Sequence, residues 1–281
     1  MENKSEKQNV IDVFTDVQVH RLIADLIRKH STNRSDIRDI ALDGLNISEC
    51  RNILDLGCGF GLFTEILKKR VHPLAVVTGV DVISGYEAPF LETCRSAGFE
   101  GKFFSSGAPL IKEFPDRTFD LILCSYALYF FPELIPHVSR VLASNGIFIA
   151  IAHDRNNMRE LIDITKDILT GNDMLRDGML PLETIIGQFS SENGLELLSP
   201  WFGQIKTIDY YNTLVFQPED GSQIIKYFLF KSPFLLSGTN FEIEWVVKLL
   251  SAQLQKGSFL RDGFTISKND RIFVCSSPFH S

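Results

Sequence analysis

The run Ile53-Leu54-Asp55-Leu56-Gly57-Cys58-Gly59-Phe60-Gly61 constrains this chain more than any other stretch. It reads as a buried strand ending in an acid and a glycine-rich turn, after which Leu62 to Arg70 open a helix. Glycines at alternate positions take every Cβ out of the turn, so its backbone can adopt positive φ and approach a ligand closely. Such a turn at the carboxyl end of a parallel strand is where open α/β sheets bind their ligands. The spacing also discriminates among nucleotides. The dinucleotide fingerprint G-x-G-x-x-G requires a third glycine where this chain has Leu62, which disfavours an NAD-dependent oxidoreductase.

A second acid follows at a matching offset. Val76-Val77-Thr78-Gly79-Val80-Asp81-Val82 reads as a short apolar strand ending in a carboxylate, roughly twenty residues past the turn, as for the ribose-binding acid of a nucleotide βαβ unit. A strand-end Asp also caps local turns, so the offset from the turn carries the argument. Farther on, Phe119-Asp120-Leu121-Ile122-Leu123-Cys124 runs as a strand into the loop Ser125 to Phe131. Arg140 to Ile151 reads as a helix end, an Asn145-Gly146 turn and another strand.

Together these segments resemble the class I S-adenosylmethionine (SAM) dependent methyltransferases. The resemblance implies an α/β fold with a doubly wound, mostly parallel seven-stranded sheet, N-terminal helices and a helical insertion between the last two strands. It implies SAM as cofactor, with S-adenosylhomocysteine as product and no metal. Gly57, Cys58, Gly59 and Gly61 would form the cofactor turn, and Asp55 would face the ammonium end of the methionine moiety. Asp81 would hold the ribose hydroxyls, and Val82 would lie against adenine. Many relatives carry Gly-Asp-Ala after the third strand, whereas this chain has Phe103-Phe104-Ser105-Ser106-Gly107-Ala108. Adenine recognition is therefore assigned to Ser106 or to backbone near Gly107. Cys124 is expected to be a buried strand-end residue whose backbone lines the cofactor.

Composition narrows the acceptor. A net charge of −7, with no basic run longer than Lys68-Lys69-Arg70, disfavours the counterion-releasing surface of a nucleic-acid enzyme. The five cysteines have neither C-x-x-C spacing nor a disulfide pattern, so reduced cytoplasmic thiols are expected. The opening Met1 to Gln8 lacks the apolar core of a secretory signal, and no apolar stretch approaches membrane-spanning length. The expected reading is a transferase acting on a small-molecule acceptor in secondary or specialised metabolism, with neither nucleic acid nor membrane as partner and a homodimer left open. An RNA or protein methyltransferase and a non-catalytic SAM-binding subunit are the alternatives.

The chain divides into an N-terminal helical segment (1–49) covering the cleft, a SAM-binding core (50–152) and a C-terminal half (153–281). The whole is expected to be one compact domain. Val19, Leu22, Ile23, Leu26 and Ile27 share one helical face, and Ser35 is the expected cap of a second helix containing Ile37, Ile40 and Ala41. Helices are expected from Met158 to Leu169 and from Pro181 to Asn193, and Ile205–Phe216 reads as the sixth strand. Phe264–Ser267 with Arg271–Cys275 would supply the last strand. Helical insertions at about 155–200 and 217–263 would form an acceptor lid, the second being rich in aromatics (Tyr227, Phe228, Phe230, Phe234, Phe241, Trp245). The alternative is that these aromatics only pack the insertion.

Methyl transfer from a sulfonium is in-line displacement on an activated carbon, so positioning and proton removal are what a protein adds. No catalytic motif is evident. Cys124-Ser125-Tyr126-Ala127 stands where the N-P-P-Y of exocyclic-amine enzymes would be. Tyr126 and Tyr129, after the fourth strand, and His153, at the end of the fifth, are the candidate acceptor-binding residues. His153 could serve as general base, line the cleft, or only end its strand.

Overall fold

A computed structural model of the chain describes residues 16–171, 178–236, 242–256 and 259–279. The opening stretch Met1 to Gln8 and Phe241 lie outside the described residues. The strands are β1 (Asn52–Leu56), β2 (Val76–Val80), β3 (Glu100–Phe104), β4 (Phe119–Ser125), β5 (Leu142–His153), β6 (Phe202–Tyr210), β7 (Thr213–Phe216), β8 (Phe264–Ser267) and β9 (Asp270–Pro278). The chain gathers into two compact units, one formed by 35–154, 187–210 and 270–281, the other by 1–34, 155–186 and 211–269.

The first unit is built on a seven-stranded sheet of order β3-β2-β1-β4-β5-β9-β6. All pairs from β3 to β5 are parallel, while β9 runs antiparallel to both β5 and β6. This is the class I methyltransferase architecture, a doubly wound sheet with one reversed strand. The order reverses between β1 and β4, so the carboxyl ends of those two strands flank the crevice where such sheets take their ligand.

Side chains alternate between the sheet's faces with period two. Leu54, Leu56, Ile122, Cys124, Phe148, Ala150, Phe273 and Cys275 enter one core cluster. Ile53, Leu121, Leu123, Ile149, Ile151, Ile272 and Val274 enter the other. Near-continuous apolar runs in β1, β4 and β5 reflect burial on both faces. By the same parity Asp55, His153 and Asp270 lie on the face of the second cluster.

Local signals differ from the sequence expectations in several places. The helix after the turn is regular only over Leu62–Glu65, then tightens into i→i+3 bonds such as Leu67 N–H to the Thr64 carbonyl at 3.2 Å. The second helix spans Ile37–Leu42 and is capped by Asp36, not Ser35, because the Asp36 carboxylate accepts from Arg38 N. The helix expected to reach Asn193 ends at Gln188; Asn193 Oδ1 instead accepts from Ser190 N at 2.7 Å and precedes a separate helix, Gly194–Leu198.

The expected sixth strand is two strands. β6 belongs to the large sheet, whereas β7 pairs antiparallel with β8 in a two-stranded sheet within the second unit. The break falls at Asn212, whose N–H donates to the Asn269 side chain and whose carbonyl accepts from Lys268 N, both at 3.0 Å. Likewise Phe264–Ser267 does not continue into the last strand. Those residues form β8, and only β9 closes the large sheet.

The second unit is helical, with Val17–His30, Arg159–Thr170, Gly221–Leu236 and Ile243–Leu254 around one apolar cluster. Ile23 and Leu26 of the first helix are buried in it, while Val19 and Leu22 on the expected face are exposed. Tyr227, Phe228, Phe230 and Phe234 are buried in this core, with Trp245 packed against it. The insertion's surplus of aromatics is thus accounted for by the unit's own interior. Glu160 ties the unit together, its carboxylate accepting from Ser267 N at 2.7 Å and from Ser267 Oγ at 2.6 Å.

Candidate cofactor and acceptor site

Every site residue expected from the sequence falls in the sheet unit. The turn after β1 is held by β2, where Gly57 N and Cys58 N both donate to the Val80 carbonyl, at 2.8 and 3.2 Å. Gly57, Gly59 and Gly61 all have positive φ, which L-residues with a Cβ rarely adopt. Their surroundings differ. A Cβ on Gly57 would sit 2.5 Å from Ala127 Cβ, and one on Gly61 would press on Thr93 and Phe90 at 3.1–3.2 Å. A Cβ on Gly59 would meet nothing within 4 Å. Gly57 and Gly61 are therefore glycines for packing, and Gly59 is the position where the backbone borders open space. That opening, beside two carboxylates, is the shape a nucleotide-type cofactor needs.

Asp81 follows β2 and organises the turn. Its Oδ2 accepts from Gly59 N at 2.9 Å, and its Oδ1 accepts from Val82 N at 2.8 Å and Ile83 N at 3.1 Å. Its carbonyl accepts from Gly107 N at 3.1 Å, bringing the Ser106–Gly107 turn alongside. Val82 is 53% exposed beside Gly107, so an apolar surface is available where adenine is expected. Burial raises the Asp81 carboxyl above its ordinary pKa, opposed by the three backbone donors.

Asp55 is buried at the end of β1, with the Thr64 hydroxyl donating to Oδ2 at 2.8 Å. Burial lifts its pKa from 3.8 to about 7; the Thr64 bond opposes the rise and the Asp81 charge adds to it. A buried acid with a single hydroxyl partner suits the neighbourhood of a cationic group. Thr64, which fixes its rotamer, was missed in the sequence reading; a hydroxyl three residues past the last glycine was the available signal. Cys58 and Cys124 are buried thiols whose pKa burial pushes up, so neither is a thiolate nucleophile. Cys124 contributes backbone at the end of β4, as expected.

The acceptor candidates come together. Tyr126, just past β4, stacks on His153 with ring centroids 4.5 Å apart, and Tyr129 lies parallel to the same imidazole at 6.1 Å. Sequence reasoning missed the group that joins them. Asp270, the first residue of β9, has Oδ1 2.6 Å from His153 Nδ1 and Oδ2 accepting from Tyr126 Oη at 2.7 Å. Only the antiparallel pairing of β9 with β5, which puts Asp270 opposite His153, reveals it. Burial holds both tyrosines well above their usual pKa, with the Asp270 charge adding to the shift. Among the described residues no group of three or more metal-ligating side chains is gathered, and no helix is long and apolar enough to cross a membrane.

Residues 53–146 match the family model of the methyltransferase domain. A trans-aconitate 2-methyltransferase of Enterobacter sp. (strain 638) is 37% identical over 111 residues, 38% of this chain and 39% of that protein. A second, from Variovorax paradoxus (strain S110), is 32% identical over 125 residues, 43% of this chain and 46% of that protein. The chain thus spans less than half the length of these curated relatives. A candidate methyltransferase of Bacillus halodurans C-125 shares the fold, with a TM-score of 0.52 at 14% identity over 86% of this chain and 99% of that one. The matched segment contains the turn, both acids and β4, and the chain carries a class I SAM-dependent methyltransferase domain. SAM is the cofactor of that domain, and the open turn at Gly59 with Asp55 and Asp81 fits it.

Proposed function

We propose that this protein transfers a methyl group from SAM to a small-molecule acceptor of the kind specialised metabolism supplies. The observation that carries the reading is the Gly59 opening flanked by two carboxylates from adjacent parallel strands. Asp81 would hold the ribose hydroxyls, the Asp55 carboxylate would face the ammonium group, and Val82 with the Ser106–Gly107 backbone would take adenine. When bound, SAM supplies a methyl group already activated by a sulfonium. The protein's own contribution is to orient the acceptor against it, exclude water and remove a proton. Support for a small acceptor comes from the acidic net charge and from relatives whose names specify trans-aconitate or demethylmenaquinone. The test is release of S-adenosylhomocysteine from SAM with a panel of small acids, phenols and amines. The reading predicts acceptor-dependent release and a melting shift with S-adenosylhomocysteine but none with NADH. Absence of any shift with S-adenosylhomocysteine would refute it.

A further inference from the structure

The Asp270 carboxylate is spent entirely on two aromatic partners. It is buried, and its two oxygens face His153 Nδ1 and the Tyr126 hydroxyl. Tyr126 reaches this position at φ +56°, a conformation that costs a bulky residue of order 1–3 kcal/mol and persists only where the surroundings fix it. Its N–H is pinned to the Ile151 carbonyl at 2.9 Å and its ring to the imidazole. The strained residue, the shared carboxylate and the histidine lie at strand ends, on the sheet face that carries Asp55.

A neutral imidazole has one N–H and one basic nitrogen. With Asp270 taking the Nδ1 proton, Nε2 becomes the basic atom, and the carboxylate stands ready to stabilise the imidazolium that forms. Tyr126 is a suitable second donor because burial and the Asp270 charge keep it protonated. The other titratable groups around the pair do not compete for this role. Tyr210, opposite Asp270 on β6, donates to the Ser35 carbonyl. Tyr129 and Cys124 remain protonated in the working pH range. Arg271 is engaged with Asp209 and the Ser191 carbonyl, and Arg38 with Asp36 and the Leu62 carbonyl.

We propose that Asp270 is a positioning residue that makes His153 the general base, so the acceptor's reacting atom carries a proton, as a hydroxyl or amine does and a carboxylate does not. This rests on the methyltransferase reading above. The acceptor's proton passes to His153 Nε2, and the lone pair it leaves forms the bond to the methyl carbon. The carbon–sulfur pair stays on sulfur, giving the neutral thioether, and the imidazolium later returns its proton to water. An ionised carboxylate acceptor, such as trans-aconitate, would give the pair nothing to remove.

Histidine nitrogen NMR on the protein with S-adenosylhomocysteine tests the pair without an acceptor. Neutral His153 is expected as the Nδ1–H tautomer, and Asp270→Asn should lower its titration midpoint by a pH unit or more. With SAM and catechol as the probe, His153→Gln and Asp270→Asn should each lower kcat at least a hundredfold while changing the KM for SAM only a few-fold. The double variant should be no slower than His153→Gln alone, because Asp270 acts through His153. An Nε2–H tautomer, an unmoved midpoint, or turnover of trans-aconitate unaffected by His153→Gln would overturn the proposal. If Asp270→Asn does not fold, the wild-type tautomer and the His153→Gln kinetics decide it. A wild-type protein showing no melting shift with S-adenosylhomocysteine would instead sink the methyltransferase reading, so the two failures are distinguishable.

Discussion

Replacing Asp55 with Asn should make the cofactor-free protein more stable at pH 8 and flatten its stability between pH 4 and pH 8. Asp55 is buried, and its pKa rises from 3.8 to about 7. The folded state therefore holds this proton more tightly than the unfolded chain does. Its stabilising contribution is complete below about pH 4 and is lost as the pH climbs towards 7. A rise of about three units, at about 1.36 kcal/mol each, corresponds to a loss of about 4 kcal/mol by pH 8. Asn keeps an oxygen for the Thr64 hydroxyl, now 2.8 Å away, and removes only the charge. The assay is thermal unfolding of both proteins from pH 4.5 to 8.5. At about 2–4 °C per kcal/mol for a chain of this size, the Tm difference should open by about 8–16 °C across the range. Asp81, also raised by burial, titrates in both proteins and largely cancels in the difference. Parallel pH profiles for wild type and Asp55→Asn would refute the reasoning. In the variant, the melting shift with S-adenosylhomocysteine should shrink, because the counter-charge to the ammonium group is gone.

The turn glycines should separate under substitution. Gly57→Ala should destabilise the fold by about 1–3 kcal/mol, since its Cβ meets Ala127 at 2.5 Å, while Gly59→Val should fold and fail to bind S-adenosylhomocysteine in a thermal-shift assay. An expectation drawn from the glycine pattern alone, that either substitution leaves the sheet formed, holds only for Gly59. In the helical unit, Glu160→Ala leaves Ser267 N and Oγ without their acceptor and should cost about 1–3 kcal/mol in denaturant unfolding, with cofactor affinity unchanged.

What the sequence made legible was the part written in local pattern. The strand–glycine–helix signal at Asp55–Gly61, the second acid at Asp81 and the alternating faces of β4 and β5 depend on neighbours within a few residues. The reversed strand and the partition into two units do not. Ile205–Phe216 has unbroken β propensity, yet Asn212 turns the chain because Asn269, distant in sequence, supplies a side-chain acceptor in place of a ladder bond. The aromatics of Gly221–Leu236 likewise look in excess until the four helices that bury them are known. Asp270 was invisible for the same reason. An acid at a strand start is unremarkable until β9 is laid against β5 and its carboxylate meets His153.

Calorimetric titration of S-adenosylhomocysteine into wild type and Asp81→Asn tests the central claim most directly. Asp81 joins β2 to the turn through Gly59 N, and Asn retains an acceptor for one set of these bonds while halving the oxygens and removing the charge. The account predicts one site per chain in the wild type and about ten- to thirty-fold weaker binding in a folded Asp81→Asn, the equivalent of about 1.4–2 kcal/mol. Equal affinity in the two proteins, or no heat of binding in the wild type, would contradict it.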